Sequence, residues 1–144
     1  MGAPAMAADG LITILTSNTA KATLDRLESE VKARGITVFA RIDHAAGASE
    51  VGLALRPTEL LSLGNATAGT PLMQAAQTIG IGLPLKALAW EDASDRVWLS
   101  YNDPGWLAQR HGLDEVSGAA THAMTAMLAS ITQKAAAMPE REAP

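Results

Sequence analysis

The stretch from Leu85 to Tyr101 sets the strongest limit on the fold. Two strand-length runs, Leu85 to Glu91 and Arg96 to Tyr101, flank the acidic turn Asp92-Ala93-Ser94-Asp95. A connection that short admits only a hairpin, because parallel strands need a crossover of about a dozen residues or more. An antiparallel sheet is therefore the frame into which the rest must fit.

Further runs suit the same sheet. Leu11 to Thr16 (LITILT) is apolar and β-branched, as a buried strand requires. From Ile36 to His44 the chain alternates: Ile36, Val38, Ala40 and Ile42 share one side, and Thr37, Phe39, Arg41 and Asp43 the other. Ala45 to Glu50 reads as a small-residue loop. Val51, Leu53 and Leu55 alternate again until Pro57 interrupts, and Leu60 to Leu63 forms a short further strand.

Helices fall between these runs. Ser17, Asn18 and Thr19 offer capping groups ahead of Ala20, Leu24, Leu27 and Val31 at helical spacing, with Gly35 as the stop. Glu28–Lys32 and Glu30–Arg34 are i,i+4 pairs on the wet face, each worth a few tenths of a kcal/mol. Gly64 to Gly69 reads as a loop. Thr70-Pro71 then reads as a helix cap and first-turn proline, with Leu72, Ala75, Ala76 and Ile79 as the buried stripe. Asp103-Pro104 repeats that signal for a short helix ending at Gly112. Asp114 caps a last helix with an apolar stripe of Val116, Ala120, Ala123, Met127 and Ile131.

The expected architecture is α+β. It is a single antiparallel β-sheet with helices packed on one face, in the order β-α-β-β-β-α-β-β-α-α. One domain spans residues 11–138, with tails at 1–10 and 139–144. The 144 residues suffice to bury a core without staples.

Composition removes several function classes. The chain has no cysteine, so thiol catalysis, disulfides and thiolate metal sites are excluded. A net charge of −4 with scattered Lys and Arg argues against nucleic acid as the partner. No apolar run reaches the roughly 18 residues of a membrane span. Ala5-Met6-Ala7 has the small-x-small look of a cleavage site, although no charged and apolar leader precedes it. The compartment stays open: cytoplasmic for the sequence as given, periplasmic or secreted if a leader was removed upstream.

Phe39-Ala40-Arg41-Ile42-Asp43-His44-Ala45-Ala46 resembles the opening motif of the uncharacterised domain-of-unknown-function family number 302. Gly52 to Pro57, Gly64-Asn65, Gly69-Thr70-Pro71-Leu72-Met73, Leu83-Pro84-Leu85, Val97 to Pro104 and Arg110-His111 extend the resemblance across Leu11 to Gly112. Where the family often has Phe-Gly-Asn-Pro, this chain has Leu63-Gly64-Asn65-Ala66, which alters that loop. The resemblance implies an α+β fold with a helix-backed antiparallel sheet, often dimeric. It implies no activity, cofactor or catalytic residue, and some members carry signal peptides.

The candidate chemistry is sparse. His44 stands at a strand end, where a neutral imidazole can act near pH 7 or simply fix a turn. Asp43 points to the opposite face in a strand, so a partner must come from Glu50 or Asn65. Gly64 to Thr70 mimics phosphate-loop spacing but lacks the lysine, and Pro71 removes a donor. Weak anion binding at that helix start is what remains. Glu91, Asp92 and Asp95 are too few for calcium. The three histidines, His44, His111 and His122, show no metal-ligand spacing. Trp90 and Trp98 share the hairpin, either in the core or on a pocket or partner surface.

The reading is of a non-catalytic small-ligand-binding or protein-interaction domain, homodimeric, with His44, Glu50, Asn65 and Thr70 as the binding candidates. No metal or cofactor is expected. The partners are a second copy and a small-molecule or anionic ligand. The alternative is a small enzyme using His44 as general base.

Overall fold

The computed structural model describes residues 9–113 and 118–139. Among them, strands β1 (Leu11–Thr16), β2 (Thr37–Asp43), β3 (Thr58–Gly64), β4 (Leu85–Glu91) and β5 (Val97–Asn102) form one sheet in the order β1-β5-β4-β3-β2. Every neighbouring pair is antiparallel. Helices α1 (Ala20–Ala33) and α5 (Gly118–Ala136) cover one face. The shorter helices α2 (His44–Glu50), α3 (Ala66–Ala75) and α4 (Pro104–Arg110) sit at the strand ends, with a 3₁₀ turn at Gln77–Gly82. The single helix-backed antiparallel sheet is the expected architecture.

The core forms where alternation delivers apolar side chains to the helices. Leu61, Leu63, Ala87, Ala89 and Leu99 are fully buried on the sheet side, and Leu24, Leu27, Val31, Leu128 and Ile131 on the helix side. The small Ala87 and Ala89 on the central strand let the larger leucines of both helices settle between their neighbours, as close packing requires. Thr16 Oγ1 and Thr23 Oγ1 share a buried hydrogen bond of 2.8 Å, which satisfies both hydroxyls where β1 meets α1.

Three helices end alike. After α1, α2 and α4, the residues Gly35, Gly52 and Gly112 take φ of +71°, +76° and +74°. In each case the following residue donates back into the last turn: Ile36 to Val31, Leu53 to Ala48, and Leu113 to Ala108. This double closure satisfies carbonyls that a helix end leaves orphaned.

The element order differs from expectation at residues 44–57. Ala45 to Glu50 belongs to α2 rather than a loop, and Val51 to Leu55 is not a strand. The Asp43 carboxylate accepts the Ala46 N–H at 2.9 Å and starts the helix. Leu53 N–H is spent on closing it, so Val51, Leu53 and Leu55 alternate without a ladder and stay exposed. The strand expected at Leu60 to Leu63 is longer, Thr58–Gly64.

A second correction concerns β2. The register shifts between Val38 and Ala40, which makes Phe39 a β-bulge. An inserted residue reverses the alternation beyond it. Val38 pairs with Leu63 toward the helices, but Ile42 pairs with Leu60 on the other face. Arg41 is turned inward instead. It bonds Glu59 Oε2 at 2.7 Å, Asp25 Oδ1 at 2.8 Å and Glu28 Oε1 at 3.4 Å. A charged group brought off the solvent needs such partners.

The last helix is also rotated from the expected stripe. Its core side carries Met124, Leu128, Ile131 and Ala135, while Ala123 is exposed. Asp114 and Val116 lie outside the described residues, as do Ala5-Met6-Ala7. Gly10 is not a loose tail residue: its carbonyl accepts the Asp103 N–H at 2.7 Å and its Cα abuts Trp106.

The Arg41 network predicts a pH dependence. The Arg41 guanidinium lowers the Asp25 carboxyl below its ordinary value, and Lys32 followed by Arg41 lowers that of Glu28, against the opposing effect of burial. A depressed carboxyl contributes stability that is complete above its unfolded value and lost as pH falls through the folded one. Urea unfolding of the native chain should weaken as pH drops below about 4.5, and Arg41→Gln should flatten that loss while lowering stability at neutral pH.

Candidate functional site

The two ends of the sheet differ in character. At one end the chain leaves β2 and β4, giving α2 and the acidic turn. At the other it leaves β3 and β5, giving α3, the 3₁₀ turn and α4.

At the second end the chain encloses a cavity of about 530 Å³. Its floor is the end of the sheet, where Leu63 and Leu85 pair across β3 and β4. Helix α3 supplies Gly69 and Met73, and α5 supplies Ala120, Ala123, Met124 and Met127. Phe39, extruded by the bulge, and Pro84 stand at Gly64 beside the opening. The small residues make the space: a Cβ on Gly80 would come within 3.2 Å of the Met73 sulfur, and one on Gly69 within 3.6 Å of Leu83 Cδ1. Among the described residues, no charged side chain lines the cavity. Asn65 and Thr70 are the polar ones among the described lining residues, and both are exposed. A cavity of this size and chemistry suits a small, neutral, largely apolar molecule.

Asn65 caps α3, its Oδ1 accepting from Ala68 N at 2.7 Å. The cap therefore lies at Asn65, five residues before the expected cap at Thr70, and the helix starts at Ala66. Pro71 falls inside the helix and leaves the Thr67 carbonyl without its usual donor. The α3 helix ends early, and Ile79 is buried from the 3₁₀ turn instead.

His44 and Glu50 are elsewhere. Both lie on α2, exposed, at the opposite end of the sheet from Asn65 and Thr70. A strand the length of β2 separates these ends by roughly 20 Å. Of the four binding candidates, the structure brings together only Asn65 and Thr70. The Asp43 carboxylate is engaged by Ala46, so it gives His44 no support as a base. His111 bonds Thr78 Oγ1 through Nδ1 at 2.9 Å, and His122 is exposed on α5. Among the described residues, no group of His, Asp or Glu gathers as metal ligands would.

The acidic turn is a structural hub. Asp92 Oδ1 accepts from Ser94 N and Arg96 N at 2.8 and 3.0 Å, and Oδ2 accepts the Trp98 indole N–H at 2.8 Å. The Trp98 bond, then the two backbone bonds, hold the Asp92 carboxyl below its ordinary range despite some burial. Arg56 closes the turn through Glu91 and Asp95 at 3.2 and 2.9 Å.

The carboxyl-terminal end of α5 is tied to the amino-terminal part of the chain. Asn18 Nδ2 donates to the carbonyls of Ala135 and Ala137 at 3.1 and 2.9 Å. Arg26 donates to those of Ala135 and Lys134 at 3.2 and 2.8 Å.

The fold is thus that of a small helix-backed antiparallel domain with a cavity at one sheet end whose described lining is uncharged. The chain belongs to the family described as Domain of unknown function DUF302, whose model matches residues 12–131. A crystal structure of an uncharacterized conserved DUF302 protein from Bacillus stearothermophilus superposes with a TM-score of 0.78. That match covers 89% of this chain and 99% of the other at 19% identity, and it concerns the fold alone. Two curated relatives are 49% identical over 127 residues, or 88% of this chain. They are named Fluoride-specific ion channel FluC 1, from Brucella suis biovar 1 (strain 1330) and Brucella abortus biovar 1 (strain 9-941). The chain spans about half of each, 50% and 47%. No helix among the described residues is long and apolar enough to cross a membrane.

The capping role of Asn65 gives a direct prediction. Asn65→Ala should cost about 1 kcal/mol in urea unfolding, whereas His44→Ala, on exposed α2, should stay within about 0.5 kcal/mol of the parent.

Proposed function

We propose that this chain is a non-catalytic, homodimeric domain that holds a small, neutral, apolar molecule in the cavity between α3, α5 and the sheet end. The observation that carries the reading is the cavity itself, about 530 Å³ and without a charged side chain among its described lining residues. Burying apolar ligand surface there gains roughly 25 cal/mol per Å², and none of the described lining residues demands a counter-charge. Met73, Met124 and Met127 give the walls adaptable side chains that fit varied shapes. Self-association is supported by the apolar surface left in contact with solvent, including Leu15 and Ile42 at 45% exposure each. An anionic ligand is less favoured, since no basic side chain is among the described residues that line the cavity. The general-base role for His44 is less favoured, since His44 is exposed on α2, is not among the residues lining the depression formed by Ala45, Ser49 and the segment Gly52 to Leu55, and the neighbouring Asp43 carboxylate is engaged by Ala46 N–H.

N-phenyl-1-naphthylamine, a neutral dye that fluoresces in apolar surroundings, tests the cavity. Wild-type protein should bind it, and Ala123→Phe, which fills the space from an exposed helix position, should weaken binding at least about tenfold. His44→Ala and Glu50→Ala should leave it unchanged. Equal binding by wild type and Ala123→Phe would sink the reading.

A second reading rests on the channel relatives. A domain that is about half of proteins named for fluoride conduction serves such a channel as an accessory part. Among the described residues the cavity lining offers fluoride no cation, which favours a regulatory over a conductive part in this reading. Removing the matching half from the Brucella abortus relative should change the rate of fluoride efflux from proteoliposomes without abolishing it. An unchanged rate removes this role.

A further inference from the structure

The lining of the cavity is not uniform. Leu63, Leu85 and Met124 contribute buried apolar side chains to it, whereas Asn65 and Thr70 are exposed. A molecule seated there meets carbon over most of its surface and polar groups only where water also reaches. In such a site a few placed polar groups fix the orientation of the ligand. The chemistry of those two side chains therefore decides what the ligand must carry.

Asn65 is committed in one direction. Its Oδ1 accepts the Ala68 N–H at 2.7 Å. A backbone N–H can be met by the oxygen of a side-chain amide and never by its NH2 group, so the cap fixes which way round the amide stands. The oxygen is spent on α3. Among the described residues no acceptor engages the two Nδ2 hydrogens. Asp would cap the helix as well as Asn does; what Asn adds at this position is a donor. Thr70 can donate or accept through its hydroxyl and so does not discriminate. No basic side chain is among the described lining residues, so a carboxylate on the ligand would bring a charge without a partner.

We infer that the cavity is selective for neutral molecules with an apolar body and one terminal hydrogen-bond acceptor, the carbonyl oxygen of a ketone, aldehyde or ester, which the Asn65 amide N–H2 orients. The inference rests on the ligand-binding reading above and gives that site a ligand class. The cavity carries the site; the start of α3 contributes one residue of its lining. A carbonyl turned the other way, among the buried side chains, would lose its hydrogen bond to water with nothing in exchange. One orientation is thus favoured, with the oxygen at Asn65 and the apolar body against Leu63, Leu85 and Met124.

2-Acetylnaphthalene and 2-ethylnaphthalene share a shape and differ by a C=O in place of a CH2. Each should displace N-phenyl-1-naphthylamine from the native chain. Asn65→Asp keeps the capping oxygen and removes the donor, so its urea midpoint should stay near that of the parent. In this variant the affinity for the ketone relative to the ethyl compound should fall at least about fivefold, while the ethyl compound and the dye bind as before. Proton–nitrogen correlation spectra give a readout independent of affinity. The Asn65 side-chain amide, assigned by its loss in Asn65→Asp, should move further downfield on saturation with the ketone than with the ethyl compound. An unchanged affinity ratio in Asn65→Asp overturns the inference, as does an amide signal that moves equally with both compounds. In either case dye binding by the native chain leaves the cavity reading standing. Tighter binding of 2-naphthoate than of the ketone also overturns it and gives the cavity to an anion. A native chain that binds neither the dye nor 2-ethylnaphthalene removes the inference and the proposed function together.

Discussion

The bulge at Phe39 decides what the edge of the sheet presents to each side. One extra residue between Val38 and Ala40 turns Arg41 toward α1 and sends Ile42 to the uncovered face. Phe39 itself is left beside the cavity opening. Without the insertion, Ile42 would face the helices and Arg41 the solvent. The guanidinium would then forgo three carboxylates drawn from α1 and β3. The ion network, the outward turn of Ile42 and the place of Phe39 in the cavity lining are thus three results of one irregularity in the ladder, in keeping with the way bulges re-aim side chains at sheet rims.

Much of the frame was legible in the residues, and the failures have physical causes. The β4–β5 hairpin, the Thr19 start and Gly35 stop of α1, and the Asp103-Pro104 start of α4 are local signals, and they hold. The bulge was not legible, because a period-two reading assumes that no residue is inserted. At residues 44–57 two local signals compete. The alternation of Val51, Leu53 and Leu55 imitates a strand, but the Asp43 cap and the Gly52-Leu53 closure favour a helix and win. Those capping residues were the usable clue. At the start of α3, Asn65 competes with Thr70-Pro71, and the earlier cap prevails.

The cavity was half legible. Asn65 and Thr70 were singled out for their position at a loop edge, and both line it. Its other walls come from α5, the 3₁₀ turn and the strand ends, segments whose meeting is set by tertiary packing. Alanines on several sides of α5 also leave the rotation of that helix undetermined by pattern alone. Ala120, Ala123 and Met127 read as a buried stripe because nothing local separates a core position from a cavity wall. His44 failed for the opposite reason: the sequence places it near other polar residues, and the strand carries it to the far end of the sheet.

The ties from Asn18 and Arg26 to the carbonyls of Lys134, Ala135 and Ala137 hold one end of α5 against the start of the chain. The half that walls the cavity, around Ala120 to Met127, is held differently: Met124 is buried in the core, and the helix packs against α4. One side of the cavity is thus a strut fixed at both ends, by directional bonds at one and by close-packed carbon at the other.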